Sequence, residues 1–223
     1  MPLKLGSVCA IAGAIVLLAG TALHPLEADP GDAVAAFTEY AAYEHWVGSH
    51  LAQFLGVALM FASLVALSDS LIHEPSAWLS KLGVLVGVSA LATAAVLQAV
   101  DGVALKVLVD AWANAAEEQK QSAFQAALAV RQIEVGLASL MALLFGTVFI
   151  LFGIAIVLSD AYQTWLGWFG LFGGTGAVAG GLLVAFTGFS STAMNVAMPF
   201  NLVLVIWMFV TGVFLWRRAW GIR

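Results

Sequence analysis

A single cysteine, Cys9, stands among 223 residues. No internal disulfide and no Cys-rich metal site can form, and Cys9 reads as a small buried apolar residue. Charge is scarce too: 9% of residues are Asp, Glu, Lys or Arg, against about 25% in a soluble domain. Basic residues are not gathered into a patch that could neutralise phosphates, so nucleic acid is disfavoured and no nucleic-acid partner is expected. Period-2 alternation of apolar and polar residues is missing, which excludes a transmembrane β-barrel. The chain has no CxxCH haem attachment, no HExxH and no His pair at i, i+4. Ser, His and Asp do not occur at hydrolase spacings. The glycines of "GWFGLFGGTGAVAGG", 167–181, follow no strand and are no nucleotide loop.

What the chain does have is long apolar runs. Hydrophobic residues make up 62% and mean hydropathy is +1.01. A bilayer core about 30 Å thick takes about 20 apolar residues as a helix. Six runs meet that length: 5–23, 46–68, 77–100, 135–159, 164–187 and 197–216. The predicted fold is an all-α integral membrane protein, one membrane domain of six transmembrane helices. The first run is read as a signal anchor rather than a cleaved signal, because Lys4 alone makes a weak n-region. The spans hold almost no ionisable group near their middles, Lys81 lying close enough to one end to snorkel, which argues against a proton pump or ion-coupled carrier.

Orientation follows from the basic residues. With both termini inside, Lys4, Lys81, Arg217, Arg218 and Arg223 lie on the inner side and Lys106, Lys120 and Arg131 on the outer, as the positive-inside rule requires. Ten of the thirteen acidic residues fall outside. The predicted localisation is a cytoplasmic membrane of bacterial inner-membrane type. Trp78, Trp165, Trp168, Trp216, Trp220 and Tyr162 mark the inner boundary as headgroup anchors. Small residues at spacings of three and four in 167–181 and in "GVLVG", 83–87, predict close helix packing, within the chain or in a homo-oligomer.

Inner loops are short, and outer connections, 24–45 and 101–134, are long, so the elaborated surface faces outward. Asp101, Leu105, Leu108 and Trp112 recur at helical spacing. Spans three and four are therefore expected to extend outward as a helical hairpin turning near residue 116. At such a turn Asp101 comes level with Arg131 and Gln98 with Glu134. Each pair on one helix is an i, i+3 neighbour. A polar network of Gln98, Asp101, Arg131 and Glu134, with Gln53 nearby, is expected at the outer boundary, because a lone charge there is costly.

Other polar groups converge on that level: His24 at the end of span one, His45 and His50 at the start of span two, Met194 and Met198 at the start of span six; His73 falls in an inner loop. Imidazole and thioether are ligands of haem iron and soft copper. His45 and His50 lie about 140° apart on a helix and cannot share a metal. The expected ligands are His50 with His24, Met194 or Met198, with Arg131 as propionate or anion partner. The sequence thus predicts a membrane redox protein holding haem b, copper or iron near its outer face, exchanging electrons with a redox partner or quinone that it does not specify. The competing expectation, of a different class, is a non-catalytic assembly subunit, or a small-solute or lipid binder or transporter, whose polar cluster fixes the helices.

Overall fold

The computed structural model describes residues 2–25, 27–72 and 74–221; His73 and Arg223, assigned above to the inner side, lie outside them. The elements run α1 (Leu3–Ala22), α2 (Ala33–Ala42), α3 (Trp46–Ser70), α4 (Ala77–Ala99), a π-helical turn (Val100–Leu105), α5 (Lys106–Ala113), α6 (Glu117–Val157), α7 (Thr164–Thr187) and α8 (Ser191–Ala219). Helix accounts for 85% of the structure, with no strand among the described residues. Six helical runs are long and apolar enough to cross a membrane: α1, α3, the continuous α4–α5, α6, α7 and α8. The protein is an all-helical, membrane-spanning chain.

Two helices run past the apolar stretches that announced them. α6 begins at Glu117, where the hairpin turn near residue 116 placed it and well ahead of the apolar run from 135, with Glu117 and Glu118 in its first turn, where carboxylates complement the positive end of the helix dipole. Arg131 and Glu134 are consequently interior residues of a 41-residue helix. α8 begins at Ser191, not near 197, since the Ser190 hydroxyl accepts from the Ala193 N–H at 3.2 Å. Pro199 therefore stands inside α8, and its missing N–H leaves the carbonyl of Asn195 without its helical donor.

The spans close into a ring in chain order. α1 packs on α3, α3 on α4, α4 on α6, α6 on α7, α7 on α8, and α8 returns to α1. Glycine sets the tightest seam. On α6 and α7, Gly146 faces Gly174 and Gly153 faces Gly167 across antiparallel helices, and a Cβ on any of the four would come within 2.8 Å of the opposing carbonyl oxygen. Contacts this close suit a solvent in which helices associate through packing rather than water exclusion. The other face of α7 is filled as well, with Gly170 against Trp207 and Gly173 against Leu204. Gly83 and Gly87 of α4 meet Phe152 and Phe61. These small-residue stripes are thus packed against neighbours within the chain.

At one end of the ring, Trp78, Trp165, Trp168, Trp216 and Trp220 are all exposed, as a headgroup-level belt requires. Tyr162 departs from that group: it is buried, its hydroxyl hydrogen-bonded to Ser70 at 2.6 Å and its ring under Arg218. The opposite end carries a cap. Asp32 accepts from the N–H groups of Val34 and Ala35 at 3.0 and 3.1 Å and starts α2. α2 then lays Phe37 against Leu105, Val109 and Ala127 of the π turn, α5 and α6. The Lys106 ammonium holds the far end of α2, donating to the carbonyls of Tyr40 and Ala41 at 2.9 and 3.1 Å and to Asp110 at 2.8 Å. A cation at the C-terminal carbonyls of a helix complements its dipole.

Candidate functional site

Beneath the cap lies a cavity of about 480 Å³, within the usual range for small-molecule pockets. Its floor and walls come from distant parts of the chain: His24 after α1, Tyr40 of α2, Trp46 of α3, Asp101 of the π turn, Arg131 and Glu134 of α6, and Met194, Asn195 and Met198 of α8. The segment 27–30 and Phe189 complete it. Glu39 holds that segment down, accepting from the N–H groups of Glu27 and Ala28 at 2.9 and 3.2 Å, and Asp29 reaches Ser191 at 3.4 Å. Tyr43 donates its hydroxyl to the Leu23 carbonyl.

The π turn positions the first buried pair. It places Asp101 against His50 of α3, and such distortions occur mostly as single turns and often at functional sites. Its carboxylate Oδ2 lies 3.0 Å from Nε2 of His50. The other ring nitrogen, Nδ1, lies 2.8 Å from the Trp46 carbonyl, which can only accept, so Nδ1 carries a proton. Nε2 facing a carboxylate oxygen then requires a second proton between them. The unit is an imidazolium carboxylate or its neutral equivalent, and in either form both nitrogens of His50 are engaged. The Trp46 indole donates to the backbone carbonyl of Asp101 at 3.1 Å, and Gly102 permits the approach: a Cβ there would lie 2.6 Å from that of His50.

Arg131 is 4% exposed and bonds only neutral acceptors, the Tyr40 hydroxyl at 3.1 Å and the Pro30 carbonyl at 2.8 Å. The rings of Phe37, Tyr40 and Phe189 surround its guanidinium at 5.5 to 5.7 Å, within cation–π range. Burial, only partly offset by Arg131, raises the Tyr40 phenol above its ordinary range, so this hydroxyl stays neutral. Glu134, 6% exposed, makes no hydrogen bond among the described residues, and its Oε2 is buried without a partner, as is Oδ1 of Asp101. The two ion pairs among the described residues are His50 with Asp101 and Lys106 with Asp110.

The expected network of Gln98, Asp101, Arg131 and Glu134 is therefore arranged differently. Asp101 turns to His50 and Arg131 to the cap. Gln98 donates to Gln53 on α3 at 3.4 Å. The hairpin register that levelled Asp101 with Arg131 assumed continuous α-helix, and the π turn breaks it. Arg131, Glu134 and Asp101 nevertheless line one cavity, together with His24, Met194 and Met198.

Among the expected metal ligands, His24 and His50 come together, their ring centroids 5.0 Å apart. His24 donates from Nδ1 to the Pro25 carbonyl at 2.7 Å and leaves Nε2 without a hydrogen bond among the described residues. Burial first, and His50 second, lower the readiness of His24 to take a proton, against weaker support from the Pro25 carbonyl, Asp101 and Glu39. No group of three His, Cys, Asp or Glu side chains among the described residues is arranged to hold a metal ion.

Tyr40, Trp46, Pro30 and Phe189 were not singled out from the sequence as parts of this site. Asp32 as a cap, followed by Phe37 and Tyr40 at i, i+3, was the available signal for α2. The chain matches no protein-family model, no curated protein and no solved structure.

Proposed function

We propose that the protein is a membrane-embedded binding protein for a small polar molecule, taken into the cavity under the cap. We orient the capped end outward and both termini inward, following the bias of basic residues toward inner segments. The observation that carries the reading is a cavity of about 480 Å³ lined by Asp101, Arg131 and Glu134, side chains whose hydrogen-bonding capacity is unfilled, beside aromatic and thioether walls. Few, well-placed polar groups in a mostly apolar pocket are what orient a small ligand. A cluster that served only to fix helices would satisfy its own members, because an unpaired buried acceptor costs about 1–3 kcal/mol.

The redox reading rests on a narrower base. His24, with Nε2 open, and Met194 and Met198 share the cavity wall, and these are plausible donors for haem iron or copper. Against it, His50, its principal ligand, has both nitrogens committed to Trp46 and Asp101. Binding a metal would require that pair to break.

The test is a thermal-shift screen of polar metabolites on the detergent-purified chain, with Met198→Trp as the plugged control, first checked for a monodisperse, cooperatively unfolding protein; Met198 lines the cavity and is 39% exposed. A compound that stabilises the wild type and not the plugged variant supports the proposal. A screen with no such compound, or one whose hits ignore the plug, overturns it. An absorption spectrum and metal analysis on the same sample address the redox reading: a stoichiometric chromophore or metal would restore it.

A further inference from the structure

Arg131 and Glu134 are neighbours on one helix face, three residues apart, the spacing at which opposite charges normally pair. Both are at least nine-tenths buried and both line the cavity. Yet no nitrogen of Arg131 lies within 4.0 Å of a Glu134 oxygen, since the ion pairs among the described residues involve neither. Arg131 carries five N–H donors and uses them on two neutral acceptors. Glu134 has no hydrogen-bond partner among the described residues.

We propose that the cavity takes a small zwitterion, its acidic group on Arg131 and its primary ammonium on Glu134. This rests on the binding reading above and narrows it. A simple anion would satisfy Arg131 and leave Glu134 bare. A simple cation would do the reverse, and Arg131 would repel it. A neutral ligand gives Arg131 no anion and Glu134 no cation. A molecule carrying both signs answers both side chains at once, and Asp101 is already matched by the proton it shares with His50.

Three residues of α-helix rise about 4.5 Å, so the two recognising groups serve a ligand whose charges lie only a few bonds apart. Phe189, Met194 and Met198 supply an apolar wall for the rest of it. Ammonium and acid at that separation occur in free α-amino acids and in the phosphoethanolamine headgroup of a lipid. The two sources share the recognition chemistry and differ in whether an acyl tail follows.

Isothermal titration of the full chain in detergent, with the proteinogenic amino acids and with phosphoethanolamine as probes, tests the proposal. The best binder is then compared with the amine lacking its acid and the acid lacking its amine. In parallel, thermal stability is measured in nanodiscs of phosphatidylethanolamine and of phosphatidylcholine. The zwitterion is expected to bind at least about ten-fold more tightly than either half. Glu134→Gln should erase the preference over the acid alone, and Arg131→Lys should weaken the preference over the amine alone. Both variants are first checked for a monodisperse, cooperatively unfolding protein. Stabilisation by phosphatidylethanolamine that Glu134→Gln removes, with no soluble binder, assigns the headgroup as the source. If either half binds as well as the zwitterion, the inference falls and the pocket stands. If no probe binds, no lipid preference appears, but the metabolite screen yields a Met198-dependent ligand, the inference alone is overturned. With no such ligand either, both readings are.

Discussion

Nε2 of His50 lies 3.0 Å from Oδ2 of Asp101, joining α3 to the π turn that follows α4 where His50 is only 2% exposed. That contact adds a charged tie between two packed helices beside the cavity. Replacing His50 by Ala leaves Asp101 with both oxygens unpartnered. We expect a loss of about 3–5 kcal/mol, the range for breaking one side of a buried pair. The double variant His50→Leu, Asp101→Leu should recover most of it. Denaturant unfolding in mixed micelles measures both. An unchanged midpoint in His50→Ala would mean that the pair contributes no stability.

Gly102 is the second lever on the same floor. A methyl group there would stand 2.6 Å from the Cβ of His50 and 3.0 Å from its ring. Gly102→Ala should therefore destabilise by about 1–3 kcal/mol, as overpacking does. Gly136 on α6 is the control, since a Cβ there meets nothing within 4 Å. Its replacement by Ala should be neutral or stabilising by up to about 1 kcal/mol from helix propensity. Thermal unfolding of the two variants side by side distinguishes a crowded site from a general intolerance of glycine replacement.

Acid should weaken the fold through His24. Burial holds its folded-state pKa below the ordinary imidazole value of about 6.5. Between the two values the unfolded chain binds more protons than the folded one, so stability rises with pH there. The contribution is complete above about 6.5 and is lost as pH falls through the folded value. The groups facing His24 are His50 on α3, Asp101 in the π turn and Glu39 on α2. Unfolding temperature followed from pH 7.5 down to about 5 should fall more steeply in the wild type than in His24→Gln. Parallel curves would locate the acid sensitivity elsewhere.

Periodicity and length carried the spans, because a helix in lipid must be continuously apolar and the sequence states that directly. The ends were harder to read. The start of α6 at Glu117 was legible from helical spacing around the turn near 116, but α8 reaches back to Ser191 through a polar turn that hydropathy does not mark, and α2 is a ten-residue helix whose stability comes from Phe37 packing on α5 and α6 rather than from its own composition. The gathering of Asp101, Arg131, Glu134, His24, Met194 and Met198 at one level was legible because each sits at the same end of its span. Their pairing was not. It depends on a π turn between Ala99 and Lys106, and no residue in "VDGVAL" announces that turn except the glycine. His50 therefore looked like an open ligand, when its two nitrogens are enclosed by partners 4 and 51 residues away.

The π turn at Val100–Leu105 also sets a rule about chain length. An α-helix closes the same arc with one residue fewer, so a single-residue deletion there would leave a straight, well-formed helix with its apolar face intact, while turning Asp101 by about 100° relative to the residues beyond it. Lys106 would no longer reach the carbonyls of α2 that it now holds. The bundle would survive such a deletion and the chamber beneath its cap would not. Among chains that share this architecture, the extra residue is thus a countable sign, visible in an alignment as a one-position gap, of which ones kept the chamber.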